Sequence, residues 1–335
     1  MEHTMPENSI MSAIHAGAKT LARPFMRLGF IKSGLRGIYL KRRLAFPSMV
    51  QIEVTNTCNA RCIMCPHQKM TRTKALVSGE LVSKVVQECA ANKDKVLTFL
   101  PNHFGEPLLN PRLPEYVAQV RAALPDAEIC IFTNGALLTE ERGRALIEAG
   151  LDLINISFDG FTKETYEKIR VNLNFDEVNA NVEGFIKLRN SMGRKKPLVN
   201  LAFVAMPENI KEVAPFREKW TRLADTVTIG TFCNWGGEIP GEVTSSVRNT
   251  ERRPCTRLWS HMLVLNNGDV PLCCQDYNGE NLLGNVVNSS IAEVWHGEKL
   301  ERIRKLHLER RFDALPICRD CNFWQQQNEP IWWWE

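Results

Sequence analysis

The sequence predicts an α/β fold on three observations. Between about residues 48 and 230, short apolar runs alternate with longer helical patterns. The alternation repeats six times. No block of consecutive strands or consecutive helices interrupts it. Such a pattern means successive βα units and a parallel sheet. Six units give either an open barrel or a doubly wound sheet, and in both the ligands sit at the carboxyl ends of the strands.

The elements follow in order. Residues 50–54 read as a strand that leads into a cysteine-rich loop, and 79–91 as a helix. Residues 96–100 are a strand and 111–123 a helix. Residues 128–132 are a strand, followed by a helix over 139–149 whose start, Thr139-Glu140-Glu141, carries a cap and first-turn acids. Strands over 153–157 and 198–204 precede helices over 175–189 and 209–223. A sixth strand covers 227–229. Residues 231–250, poor in pattern and rich in Gly, Asn and Thr, read as a linker. Residues 251–335 form a separate C-terminal region with short strands near 262–265 and 270–272 and a helix near 291–306.

Residues 1–47 stand apart as a basic extension. No acidic residue falls between Glu7 and Glu53, while Lys19, Arg23, Arg27, Lys32, Arg36 and a Lys41-Arg42-Arg43 run do. Helical spacing of the cations suits either an interfacial helix or a segment packed on the main domain. Gly29, Gly34 and Gly37 interrupt any helix and favour the second.

The 335 residues, 44% hydrophobic, are ample for one large domain with a small companion. A net charge of +4 shows no basic stripe of the kind that binds nucleic acid. No apolar run is long enough to cross a bilayer, and no secretory signal opens the chain, so the cytoplasm is the expected location.

Eleven cysteines in such a chain point to metal or redox chemistry rather than disulfides. Cys58, Cys62 and Cys65 have C-x3-C-x2-C spacing and follow the first strand. Three thiolates leave one iron of a four-iron cluster without a protein ligand. A tetrahedral zinc site would want a fourth donor, for which His67 is available. Cys255, Cys273, Cys274, Cys318 and Cys321 form a second group. Cys89, Cys130 and Cys233 carry no motif, and Cys89 and Cys130 read as core residues.

The first group resembles the signature of the radical S-adenosylmethionine (radical SAM) superfamily, with Met64 where that family usually has an aromatic residue. The resemblance implies a partial (β/α)6 TIM-like barrel over residues 48–230. It implies a [4Fe-4S] cluster on Cys58, Cys62 and Cys65 whose open iron chelates S-adenosylmethionine. Reductive cleavage of that cofactor then gives a 5′-deoxyadenosyl radical. Phe104-Gly105-Glu106-Pro107, after the second strand, looks like the segment that receives the methionyl amino group. Gly105 lets the backbone approach, and Glu106 offers an acceptor. Asn134, ending the third strand, is a further cofactor-side candidate or else builds its turn. Ser157 and Asp159 end the fourth, where similar enzymes approach the ribose. Arg170 resembles an arginine that pairs with the S-adenosylmethionine carboxylate.

The order Cys255, Asn267-Gly268-Asp269-Val270-Pro271-Leu272-Cys273-Cys274, Cys318-Arg-Asp-Cys321 resembles the SPASM extension of these enzymes. It implies one auxiliary [4Fe-4S] cluster on Cys255, Cys273, Cys318 and Cys321; a zinc ribbon on the same thiols is the alternative. Neighbours on a strand face opposite ways, so Cys273 and Cys274 are not expected to share one cluster. Cys274 is then either the ligand in place of Cys273 or a candidate hydrogen donor to a substrate radical; the family's Gly-Asp-Val-x-x-Cys pattern favours Cys273 as ligand. The triple tryptophan at 332–334 suits an apolar cover or a partner surface.

The resemblance implies a radical SAM oxidoreductase. The short N-terminal extension favours a small polar substrate (a sugar, aminocyclitol or nucleoside-like molecule) undergoing dehydrogenation or epimerisation, with a flavodoxin or ferredoxin as one-electron reductant. The alternatives are a peptide-modifying SPASM enzyme and, from another class, an iron–sulfur electron carrier or zinc-binding module.

Overall fold

A computed structural model describes residues 45–241 and 251–326. The basic extension before residue 45 and the tryptophan-rich end lie outside the described residues.

Parallel strands and covering helices alternate through the first two thirds. They are β1 (Met49–Ile52), α1 (Gly79–Ala90), β2 (Thr98–Leu100), α2 (Leu113–Ala123), β3 (Glu128–Thr133), α3 (Glu140–Glu148), β4 (Leu153–Ser157), α4 (Lys163–Ile169), α5 (Phe175–Ser191), β5 (Leu198–Ala205), α6 (Val213–Trp220) and β6 (Thr226–Thr231). The helices begin where the sequence supplies caps: the hydroxyls of Ser78 and Thr139 and the amide oxygen of Asn174 accept from main-chain N–H groups of the first turn. The seven-residue α4 was not expected. Only Tyr166 and Ile169 of it are buried, too few to write a period in the sequence.

The strand order is β6-β5-β4-β3-β2-β1, followed by β7 (His261–Val264), and every pair is parallel. The order never reverses, as it would in a doubly wound sheet. The architecture is therefore the arc of a barrel. The seventh strand comes from the C-terminal region, so β1 is an interior strand. Met49 pairs with His261 and Ile52 with Val264.

The two faces of the arc differ. Ile154, Ile156, Val199, Leu201 and Phe203 are fully enclosed. A Cβ on Gly135 would touch Ile156 together with Val178 and Val182 of α5, so this face lies under the helices. Each such side chain contributes on the order of 1.5–3 kcal/mol. The alternate residues line the concave face. There Asn155 donates to Cys130 Sγ and accepts from Asn200 (2.7 Å), and Asn200 accepts from Thr226 and Thr228. Near the carboxyl ends this polar ladder gives way to the half-buried Ser157 and the exposed Phe132.

Beyond β7, the hairpin β8 (Asp269–Pro271) and β9 (Leu282–Asn285) leads to α7 (Ile291–Trp295), α8 (Glu298–Leu308) and α9 (Pro316–Arg319). The single helix expected near 291–306 is two, with Gly297 as N-cap of the second. Among the described residues, no helix is long and apolar enough to cross a membrane.

Candidate functional site

The loop after β1 carries Cys58, Cys62 and Cys65 at the carboxyl end of the arc. The end of α4 clamps it: Arg61 N–H donates to Val171 O (2.9 Å) and Ile63 N–H to Ile169 O (3.1 Å). The three thiols lie close enough that Cys58 and Cys65 each feel their neighbours' charge. Burial pushes Cys58 up to about 11 and Cys65 up to about 12, and the neighbouring sulfurs add to the rise. Three soft sulfur donors gathered on one loop are a ligand set for an iron–sulfur group, whose positive charge would offset the cost of ionising them.

His67 is buried beside the cysteine loop and tied to the segment ahead of it. Its Nε2 lies 2.8 Å from the main-chain oxygen of Asn56, which only accepts, so Nε2 holds the proton. Its ring stacks on Phe104 (5.4 Å). Among the described residues, no group of three His, Cys, Asp or Glu side chains is already arranged to hold a single metal ion.

The loop after β2 packs directly on the loop after β1. A Cβ on Gly105 would lie 2.5 Å from the main-chain oxygens of both Thr55 and Thr57, so only glycine fits. Glu106, expected to face the ligand as an acceptor, is turned inward. Its carboxylate accepts from Thr133 Oγ1 (2.6 Å), Leu108 N–H (3.1 Å) and Asn134 N–H (2.8 Å). Burial raises its pKa, and these donors oppose the rise. Asn134 donates in turn to Asn59 Oδ1 (2.8 Å). Gly105, Glu106 and Asn134 therefore brace three loops into one rigid rim.

Ser157 and Asp159, expected together at the ribose, part company. Ser157 lies half-buried on the concave face. Asp159 is fully enclosed. It accepts from Val204 N–H (2.7 Å) and Arg170 Nε (2.6 Å), so its carboxylate is spent inside the wall.

The second cysteine group lines one small cavity formed by Cys255, Cys273, Cys274, Cys318 and Cys321. Burial and mutual proximity push Cys318 up to about 12 and Cys321 up to about 11 and raise Cys273 further. The expectation that Cys273 and Cys274 face opposite ways is corrected. The strand ends at Pro271, and both thiols sit in the turn beyond it, on the same cavity. Sequence reasoning also missed Cys233. Its thiol donates to Gln275 Oε1 (2.9 Å), Gln275 Nε2 approaches Cys274 Sγ (3.5 Å), and Cys321 and Cys274 help to raise its pKa. No motif marks Cys233; only the fold brings it there.

Aromatic rings join the two halves. Tyr277 stacks on Phe104 (5.1 Å), and Trp235 meets Phe104 edge-on (5.5 Å) while its indole donates to Met64 O (3.1 Å). Asn234 and Asn322 exchange hydrogen bonds (3.0 and 3.1 Å). The segment read as a linker thus carries specific contacts. Trp235 and Tyr277 also form one wall of a cleft of about 340 Å³ lined by Glu238, Gln275, Asn278 and Glu280.

Comparison with known proteins agrees with this layout. The Radical SAM superfamily model matches residues 52–218, and the SPASM iron–sulfur cluster-binding domain matches residues 255–322. S-adenosyl-L-methionine-dependent 2-deoxy-scyllo-inosamine dehydrogenase of Niallia circulans is 24% identical over 283 residues, 84% of this chain and 95% of that protein. GTP 3′,8-cyclase of Chlorobaculum tepidum is 37% identical over 131 residues, 39% of this chain and 38% of that protein. Among solved structures, BtrN in complex with AdoMet and 2-DOIA superposes with a TM-score of 0.57 at 21% identity, covering 82% of this chain and 92% of that one. Streptococcus suis SuiB bound to S-adenosylmethionine gives a TM-score of 0.64 at 13% identity, covering 91% and 84%.

Proposed function

Because the chain belongs to the radical SAM superfamily and carries a C-terminal SPASM domain, we propose that it dehydrogenates a small polar substrate of the aminocyclitol or sugar class. It is a radical SAM oxidoreductase whose cofactors are [4Fe-4S] clusters and S-adenosylmethionine. The observation that carries the reading is the pair of thiol sets, three on the loop after β1 and five lining one cavity of the C-terminal region. Near-full-length likeness to an aminocyclitol dehydrogenase supports the substrate class.

When bound, the catalytic cluster and S-adenosylmethionine supply a 5′-deoxyadenosyl radical that abstracts hydrogen, and the auxiliary cluster supplies an electron sink. In this reading Cys58, Cys62 and Cys65 hold the first cluster within a core of residues 48–230. Cys255, Cys273, Cys318 and Cys321 hold the second within residues 251–335. Gly105 opens the backbone to the methionyl end, with Glu106 and Asn134 bracing that rim. Ser157 faces the ribose. Asp159 serves Arg170 instead. The amide- and carboxylate-lined cleft beside Trp235 suits a substrate rich in hydroxyl and amine groups. An external flavodoxin- or ferredoxin-type carrier delivers the starting electron.

The test is anaerobic incubation of reconstituted protein with S-adenosylmethionine, a reductant and 2-deoxy-scyllo-inosamine, other aminocyclitols, or peptides. The expected result is substrate-dependent 5′-deoxyadenosine with loss of two hydrogens from a small-molecule substrate. Solvent deuterium entering a product of unchanged composition would assign epimerisation, for which Cys274 is the candidate donor. Turnover of peptides alone would overturn the substrate class.

A further inference from the structure

Arg170 stands directly against one thiol of the catalytic loop. Main-chain hydrogen bonds at Arg61 and Ile63 flank Cys62, and their acceptors, Val171 and Ile169, flank Arg170. The two side chains are thus brought opposite each other from both sides. Arg170 Nη1 donates to Cys62 Sγ at 3.4 Å. The other edge of the guanidinium, Nε and Nη2, is taken by Asp159. Asp159 has no exposed surface, and Arg170 and Cys62 have little.

This geometry does not suit the role that resemblance implied. A guanidinium binds a carboxylate best through two parallel N–H groups. Here the Nε/Nη2 edge is already occupied, and Nη1 points at sulfur. We propose that Arg170 is a positioning residue for Cys62 that raises the reduction potential of the catalytic cluster, and that Asp159 sets how far. The proposal rests on Cys62 being a ligand of that cluster. A donated N–H and a fixed cation both favour the reduced, more negative state, and they act strongly where water is excluded. Asp159 cancels part of that charge while fixing the guanidinium in place.

The test is a redox titration of the full-length, reconstituted protein, followed by electron paramagnetic resonance without substrate. The catalytic cluster is the signal that changes when S-adenosylmethionine is added. Arg170→Gln should lower the equilibrium constant for one-electron reduction about tenfold, a shift of about 59 mV to more negative potential. Asp159→Asn should shift it the other way. Full iron content with an unchanged midpoint in Arg170→Gln, together with weaker S-adenosylmethionine binding, would overturn the proposal and restore the carboxylate role. If Arg170→Gln does not hold the cluster, Asp159→Asn decides: an unchanged or lowered midpoint overturns the proposal. Wild-type protein without any S-adenosylmethionine-sensitive signal would instead overturn the functional reading itself.

Discussion

Glu53 and Arg72 form a two-point ion pair, Nη1 to Oε2 and Nη2 to Oε1, each at 2.7 Å. The Glu53 side chain is fully enclosed. Arg72 also donates from Nε to Tyr277 O (2.7 Å), and Asn266 N–H reaches Glu53 Oε2 (3.3 Å). One pair therefore ties the end of β1, the segment after the cysteine loop and the C-terminal region.

Removing one partner leaves the other charge buried. Glu53→Gln should cost about 3–5 kcal/mol in urea denaturation. The double variant Glu53→Leu/Arg72→Met should recover part of that loss. A double variant no more stable than the single one would show that the pair is not coupled.

Gly105→Ala forces a methyl group to 2.5 Å from two main-chain oxygens. The expected result is unchanged far-ultraviolet circular dichroism with loss of S-adenosylmethionine binding, measured by equilibrium dialysis. Gly184→Ala is the control. It lies within α5, nothing stands within 4 Å of its added Cβ, and it should gain about 0.5–1 kcal/mol.

His103 lies just ahead of that glycine. Burial lowers its pKa from 6.5 to about 4, with Glu53 opposing, and its Nε2 is enclosed without a hydrogen-bond partner among the described residues. The ring is neutral in the fold. Between pH 6.5 and 4 the unfolded chain binds the extra proton, so stability falls as pH falls through that window and levels off below it. His103→Gln should flatten the slope of unfolding free energy between pH 7 and 5 (~1 kcal/mol or more). An unchanged slope would place the proton uptake elsewhere.

Iron counting separates the adjacent thiols. Wild type should hold about eight irons per chain, and Cys273→Ala about four. Cys274→Ala should keep its iron. The reverse pattern would make Cys274 the ligand, and retained solvent-hydrogen incorporation in Cys274→Ala would remove it as a donor.

Much of this was legible in the sequence. The six strands and the C-x3-C-x2-C loop are local features, written in apolar runs and spacing. What escaped depends on contacts distant in sequence. A motif names Glu106 and Asp159 but not the donors that fill their lone pairs, Thr133 and Asn134 for one, Arg170 and Val204 for the other. Cys233 has no neighbour in sequence to mark it and finds its place only through Gln275. The strand stops at Pro271, before either cysteine, so strand alternation does not separate Cys273 from Cys274.

The pairing of Met49 with His261 has a consequence for synthesis. While a ribosome is still making the middle of this protein, the outer hydrogen-bonding side of β1 has no companion and offers a sticky ladder to other nascent chains. Some two hundred residues must emerge before its own partner arrives, a long-range closure that slows folding. Cutting the chain between the two cysteine groups should therefore yield an aggregating fragment, and the halves should be recoverable only when produced as one polypeptide.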